Sequence, residues 1–311
     1  MLRFSLMNRL LLVVFATLVS LPAWASPTTL DPARLKLKSA NAVVIDADTD
    51  HQIYAKAANE VTPIASVTKL MTAMVVLDAK QPMDDPITID TDDIDTLKNS
   101  SSRLRMGATL SRREMLRLAL MASENRAASA LARYYPGGKA AAVAAMNAKA
   151  AELGLTQTHY SDPTGLSPQN VSTARDLAKL VQVAAEYPLI REFTTTAEHS
   201  VDIEPAGRTL GFINSNALVR GHSWDILLQK TGYIREAGRC VVMLVNIASR
   251  PVVIVLLDSI GRYTRFADAQ RVRYWLETGD TLVFARAPHA RAVKARGQRA
   301  KRAQYVKTAN R

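Results

Sequence analysis

The chain has a single cysteine, Cys240, among its 311 residues, so no intrachain disulfide can brace it. That thiol sits inside RCVVMLVNIA, an apolar run of strand character, where a packed core cysteine is expected rather than a reactive one. Aromatic residues make up only 6% of the chain, which leaves aliphatic side chains to build the core. Beyond the first 25 residues no apolar run reaches the ~20 positions that a membrane-spanning helix requires. Internal repeats and nucleic-acid-binding modules are also lacking. The formal charge of +12 does not argue otherwise, because nine of the cations, from Arg286 to Arg311, lie in a C-terminal stretch that holds no acid. With the N-terminal Arg3 and Arg9 set aside as well, residues 26–283 are close to neutral. No nucleic-acid partner is expected.

What is present begins with MLRFSLMNRLLLVVFATLVSLPAWASP. Arg3 and Arg9 precede an apolar stretch from Leu10 to Leu21, and Ala23-Trp24-Ala25 forms an A-x-A site. This is the pattern of an export signal cleaved near Ala25. No cysteine stands directly after the cleavage site, which argues against a lipid anchor. Export without disulfides is compatible with the bacterial periplasm, the expected location, where disulfides are permitted but not required. The expected organisation is a signal peptide over 1–25, one domain over 26–280, and a basic, disordered tail over 281–311. The tail's cations suit either peripheral contact with anionic headgroups or wall polymers of the envelope, or a simply solvated tail.

Within the domain, NAVVIDADTDHQIYAK reads as a hairpin around an acidic turn. PIASVTKLMTAMVVLDAK follows, a proline-led turn opening onto an apolar helix from Ser66 to about Asp78. Short β-type segments bound a polar loop in PITIDTDDIDTLKNSSSRLRMGATL. Ser111 with Glu114, and Thr173 with Asp176, are capping-box patterns that open helices. Gly154 stops the helical run KAAAVAAMNAKAAELG, and Pro188 ends the helix of STARDLAKLVQVAAEYP. After residue 195 strands return in ILLQKTGYI, CVVMLVNIAS and PVVIVLLDS, spaced for antiparallel hairpins. The amphipathic helix YTRFADAQRVRYWLET precedes the tail. Strands at both ends predict one sheet completed from both termini, with a mostly helical subdomain inserted over about 85–195.

Ser66 and Lys69 lie three apart, on one face of a helix. A serine becomes a nucleophile when a base takes its proton, and a lysine can do so once burial or a neighbouring cation lowers its pKa. The positive end of the helix and the Ser66 N–H would favour the developing negative charge. S-x-x-K alone is weak, because about one is expected by chance in a chain this long. MASENRAAS adds Ser123 and Asn125 where a helical pattern breaks. Here a second hydroxyl could relay a proton and an amide could hold both Lys69 and a substrate carbonyl; an ordinary helix cap fits the same residues. LLQKTGY adds Lys230, Thr231 and Gly232 in a strand, supplying a second cation, a hydroxyl for a carboxylate, and a glycine that admits an extended peptide. In this order the three motifs are the signature of active-site serine penicillin-recognising enzymes.

ASVTKLMTAMVVLDAK, LALMASENRAASALA, DPTGLSPQNVSTARDL, QKTGY and FADAQRVRYWLETG carry the likeness further. Over roughly residues 40–280 the chain resembles low-molecular-mass penicillin-binding proteins of the D-alanyl-D-alanine peptidase family, and above all their short D-alanyl-D-alanine endopeptidases. The resemblance implies an α+β fold of the β-lactamase/transpeptidase type, with a five-stranded antiparallel sheet flanked by helices beside a mostly helical subdomain. It implies Ser66 as acyl-enzyme nucleophile, Lys69 as general base, and Ser123 and Asn125 completing the proton relay and substrate hydrogen bonds. Lys230, Thr231 and Gly232 bind substrate, and the N–H of Tyr233 joins that of Ser66 as an oxyanion hole. No metal or organic cofactor is implied. The expected substrates are the D-alanine–diaminopimelate cross-links of peptidoglycan, which ties the enzyme to the cell wall and cell shape, and β-lactam antibiotics are the expected inhibitors. Glu124 stands where many relatives have Asp or Gly, and its side chain is not needed in the site. The extra β-rich domain and terminal membrane helix of longer carboxypeptidases are not expected here, because the roughly thirty residues after the last helix are too polar to replace either. The alternatives are a D-alanyl-D-alanine carboxypeptidase, a β-lactamase, and a non-catalytic wall-binding protein. A β-lactamase is disfavoured because HYSDPTGLSPQN lacks the glutamate that deacylates class A enzymes.

Overall fold

The computed structural model describes residues 30–205 and 207–284; the export segment and nearly all of the basic tail lie outside them. The domain opens with the expected hairpin. β1 (Asn41–Asp46) is buried at all six positions and pairs with β2 (Gln52–Lys56). The two-residue β3 (Thr62–Pro63) leads through a 3-10 turn, Ala65–Thr68, into α1 (Lys69–Asp78). Residues 69–76 of α1 are all buried. A helix apolar around its whole circumference belongs inside a core, and α1 is the axle of this one.

β4 (Pro86–Thr88) and β5 (Thr109–Ser111) form a small ladder at the base of the polar loop. α2 (Arg112–Met121), α3 (Asn125–Arg133) and α4 (Gly138–Glu152) pack around α1. β6 (Val171–Ser172) returns to pair with β3, followed by α5 (Ala174–Ala184) and α6 (Pro188–Thr195). A separate hairpin, β7 (Glu198–Ile203) with β8 (Arg208–Ile213), and the short α7 (Ala217–Arg220) precede three long strands. These are β9 (Asp225–Ile234), β10 (Gly238–Ile247) and β11 (Arg250–Ser259), and α8 (Thr264–Thr278) closes the domain.

The sheet is five-stranded and antiparallel in the order β2-β1-β11-β10-β9, so the N-terminal hairpin joins strands from the far end of the chain. Alternation along the strands divides the core in two. Val43, Ile45, Val242, Val253 and Val255 face the helical side and merge with the packing of α1 to α6. Val44, Val241, Met243, Ile254 and Leu256 face α8, where Trp275 is completely buried. β9 is an edge strand, and its outer side faces the turn that begins α1.

Four local expectations change. The S-x-x-K helix starts as a 3-10 turn, with Lys69 as the first α-helical residue. Pro188 opens α6 at its first position instead of only ending α5, a place where its missing N–H is harmless. The capping boxes at Ser111 and Thr173 are half made. Each hydroxyl accepts the N–H three residues on, but Glu114 turns to His199 at 2.6 Å and Asp176 to Thr158 at 2.8 Å. Helix α5, within the span expected to be the subdomain, packs on the sheet.

Candidate active site

Between Ile64 and Val76 only Ser66 is not buried. The preceding Ala65 adopts a left-handed φ of 49°, an uncommon state for a residue with a Cβ, and this kink presents the serine to the cleft. Lys69 is 1% exposed, and its Nζ donates to Ser66 Oγ at 2.8 Å, Asn125 Oδ1 at 2.8 Å and the Thr164 carbonyl at 2.7 Å. Three acceptors match the three protons of an ammonium. Only an amide oxygen can face that group, which fixes the Asn125 orientation and turns its Nδ2 to Ser100 Oγ at 2.9 Å. Burial pushes the Lys69 pKa down to about 8, while Asp162, Glu124 and Asp95 resist the fall.

The loop 161–170 grips this turn, a contribution that the motif spacing did not reveal. Asp162 accepts the N–H groups of Thr164, Gly165 and Ser167. Asn170 accepts from the Ser161 and Asp162 N–H groups and donates to Thr68 Oγ1, while Thr72 Oγ1 donates to the Pro163 carbonyl. Gly165 has φ +81°, and a Cβ there would lie 2.0 Å from the Ala65 carbonyl oxygen. The loop thus holds Ala65 from outside and delivers the Thr164 carbonyl to Lys69. Its D-P-T-G-L-S-P-Q-N composition was the available signal, a turn-rich segment with two side chains suited to binding backbone groups.

Ser123 occupies a left-handed φ of 62° between α2 and α3. It is not a cap: Glu124 caps α3, accepting the Arg126 N–H at 3.4 Å. Ser123 Oγ accepts instead from Lys230 Nζ at 2.8 Å, and Lys230 also donates to the Thr231 carbonyl at 2.9 Å. Lys230 is completely buried, and burial, then the charges of Lys69 and Arg265, drive its pKa well down. Glu124 lies nearer the chemistry than expected, since it both contributes to the field at Lys69 and has its own pKa raised by burial.

On β9, Thr231 Oγ1 shares a 2.7 Å hydrogen bond with Ser215 Oγ. Gly232, expected to make room for a substrate, also makes room for the protein's own turn. A Cβ would come within 2.9 Å of the Ile64 carbonyl oxygen and 3.1 Å of the Ser66 nitrogen. Tyr233 is more than half exposed, with Arg239 stacked 4.3 Å from its ring centre. Arg265 was not anticipated. It is 7% exposed, burial and then Arg239 push its pKa down to about 10, and it has no carboxylate partner among the described residues. All eight anticipated residues therefore come together along the cleft between β9, the start of α1 and the α2–α3 junction.

This fold and this arrangement are those of a penicillin-binding serine peptidase. The family model of D-alanyl-D-alanine carboxypeptidases matches residues 27–261, and the chain belongs to that family. It is 48% identical to a D-alanyl-D-alanine endopeptidase of Pseudomonas aeruginosa over 92% of each chain. It is 45% identical to the D-alanyl-D-alanine endopeptidase of Escherichia coli over 88% of this chain and 87% of that one. Among solved structures, the DD-transpeptidase of Streptomyces K15 superposes with a TM-score of 0.72 at 28% identity, covering 78% of this chain and 97% of its own.

Proposed function

We propose that the protein is a serine D-alanyl-D-alanine endopeptidase that hydrolyses D-alanine–diaminopimelate cross-links of peptidoglycan through an acyl-enzyme on Ser66. The observation that carries this is the buried Lys69 amine, 2.8 Å from Ser66 Oγ with its pKa near 8. Deprotonated Lys69 takes the Ser66 proton as Oγ attacks the D-alanine carbonyl. The N–H groups of Ser66 and Tyr233 receive the oxyanion. As the C–N bond breaks, the departing amine takes a proton relayed through Lys69 and Ser123. Water then attacks the ester, releasing the D-alanine carboxylate and restoring the Ser66 hydroxyl. A substrate carbonyl can accept the second N–H of Asn125 Nδ2, since Ser100 Oγ takes only one. The carboxylate beside the scissile nitrogen is bound by Lys230, Thr231 and Arg265, whose buried, carboxylate-free setting supports an anion there.

The same reading makes residues 1–25 a cleaved export signal, the periplasm the place of action, and β-lactams acylating inhibitors. It also gives the basic segment beyond residue 284 a peripheral contact with the anionic envelope. Purified protein from Ser26 onward is expected to convert dimeric, D-alanine–diaminopimelate-linked muropeptides to monomers, followed by mass analysis of the products. It should trim D-alanine from monomeric pentapeptides much more slowly. Faster trimming would make the protein a carboxypeptidase with the same residues in the same roles.

A further inference from the structure

A cavity of about 340 Å³ lies between the loop 103–108 and the β7–β8 hairpin, and no residue of the catalytic site lines it. Ala108, Ile203 and Leu210 give it a buried apolar floor. Arg103, Arg105 and Arg208 surround that floor, against one carboxylate, Glu204. Among the described residues none of these three arginines has a salt-bridge partner. Arg103 is held in place: its guanidinium stacks 4.9 Å from the Phe212 ring centre and donates to the Gly211 carbonyl. Cations around an apolar floor, one of them held in place, suit a ligand with a carboxylate on a short aliphatic body.

The loop that carries two of these arginines also runs to the catalytic cleft. Ser100 Oγ accepts from Asn125, and the Leu104 carbonyl accepts from Arg126, the next residue of α3, at 2.7 Å. Arg103 and Arg105 flank that anchored leucine. An extended peptide spans about 3.4 Å per residue, so four units of a stem seated at Ser66 reach roughly 14 Å from it.

We propose that the pocket is a second subsite for peptidoglycan, taking a free carboxylate of a D-glutamyl or diaminopimelyl unit while Ser66 acts on the D-alanine. This rests on the endopeptidase reading and deepens it. A cross-linked dimer carries more such carboxylates than a single stem, so the pocket lowers KM for cross-linked material without touching the bond-breaking step.

The test uses R105S/R208S, two exposed positions outside the catalytic machinery, in the chain from Ser26 onward. L-Alanyl-γ-D-glutamyl-diaminopimelate, which has no scissile D-alanine, is titrated calorimetrically into both proteins. The expected result is a Kd about tenfold or more higher in the variant, the scale of one lost charge-assisted contact. The stem with its carboxylates amidated should bind the unaltered protein as weakly as the variant binds the acidic one. KM for the dimer should rise in parallel, with kcat and penicillin acylation unchanged. Equal tripeptide affinity in the two proteins, or no binding to either, overturns the proposal. The endopeptidase reading fails separately, if the unaltered protein leaves dimers uncut.

Discussion

Lys69 and Lys230 are both buried and both depressed by desolvation, yet the two walls of the cleft treat them differently. On the α1 side the carboxylates of Asp162, Glu124 and Asp95 counter the burial and hold Lys69 near 8. On the sheet side Lys69 and Arg265 add positive field to the burial, and Lys230 is driven well down. One wall therefore keeps an amine that can lose and regain a proton close to neutral pH. The other is a cationic pocket short of an anion, in which an arriving carboxylate favours the charged form of Lys230. Similar residues, set in opposite fields, are prepared for different work.

The largest expected effects test that division directly. Ser66→Ala should give no penicillin adduct by intact mass, whereas the unaltered protein gains one long-lived penicilloyl group. Lys69→Ala should slow acylation by about 10²–10⁴-fold, the range for a lost general base. Lys230→Ala should cost less, about 10²-fold, and mainly for substrates with a carboxylate beside the scissile nitrogen. A larger loss in Lys230→Ala than in Lys69→Ala would reverse the two assignments.

Next in size is the loop that braces the Lys69 wall. Gly165→Ala places a Cβ 2.0 Å from the Ala65 carbonyl oxygen at a left-handed φ, a clash with backbone that no rotamer relieves. We expect about 2–4 kcal/mol of lost stability, seen as a fall in thermal midpoint, together with slower acylation. Gly232→Ala meets its neighbours at 2.9–3.1 Å and should cost less. Equal losses at the two positions would mean that the loop grips Ala65 no more firmly than β9 does.

How far these walls could be read from the chain follows from their physics. β10 and β11 were visible because burial on both faces demands unbroken apolar runs such as PVVIVLLDS, and α1 because its apolar residues form so long a run. Ser66, Lys69, Ser123, Asn125, Lys230 and Thr231 were visible because spacing along a known order is a one-dimensional signal. Thr164 was not, because it acts through a carbonyl that every residue has. Arg265 looks in sequence like one more cation on an amphipathic helix, and only its burial without an acid sets it apart. Gly232 was visible as a glycine, but the contact that requires it, with Ile64 and Ser66, joins positions far apart in the chain. Asp176 and Glu114 matched a local capping pattern, and tertiary partners then claimed their carboxylates.

The smallest expected effect is the most discriminating. With Lys69 as the proposed general base, acylation needs its neutral form, so kcat/KM in the unaltered protein should fall as pH drops below about 8 and level off above it. Asp162 heads the groups that hold the proton on Lys69. Asp162→Asn removes that charge, lowers the Lys69 pKa, and should move the acid limb to lower pH, making the variant the faster enzyme near pH 6.5 relative to its own plateau. The substitution also touches the loop, because one carboxylate oxygen accepts from Thr164 and Gly165 and the other from Ser167. An asparagine oxygen can keep the first pair, while its amino group cannot accept from Ser167. Loss of that bond would depress acylation at every pH, whereas loss of charge shifts the midpoint; the high-pH plateau and the midpoint thus report the two effects separately. A midpoint that stays near 8, or rises, would show that the carboxylates along this wall do not set the proton affinity of Lys69, and the contrast with Lys230 would then rest on burial alone.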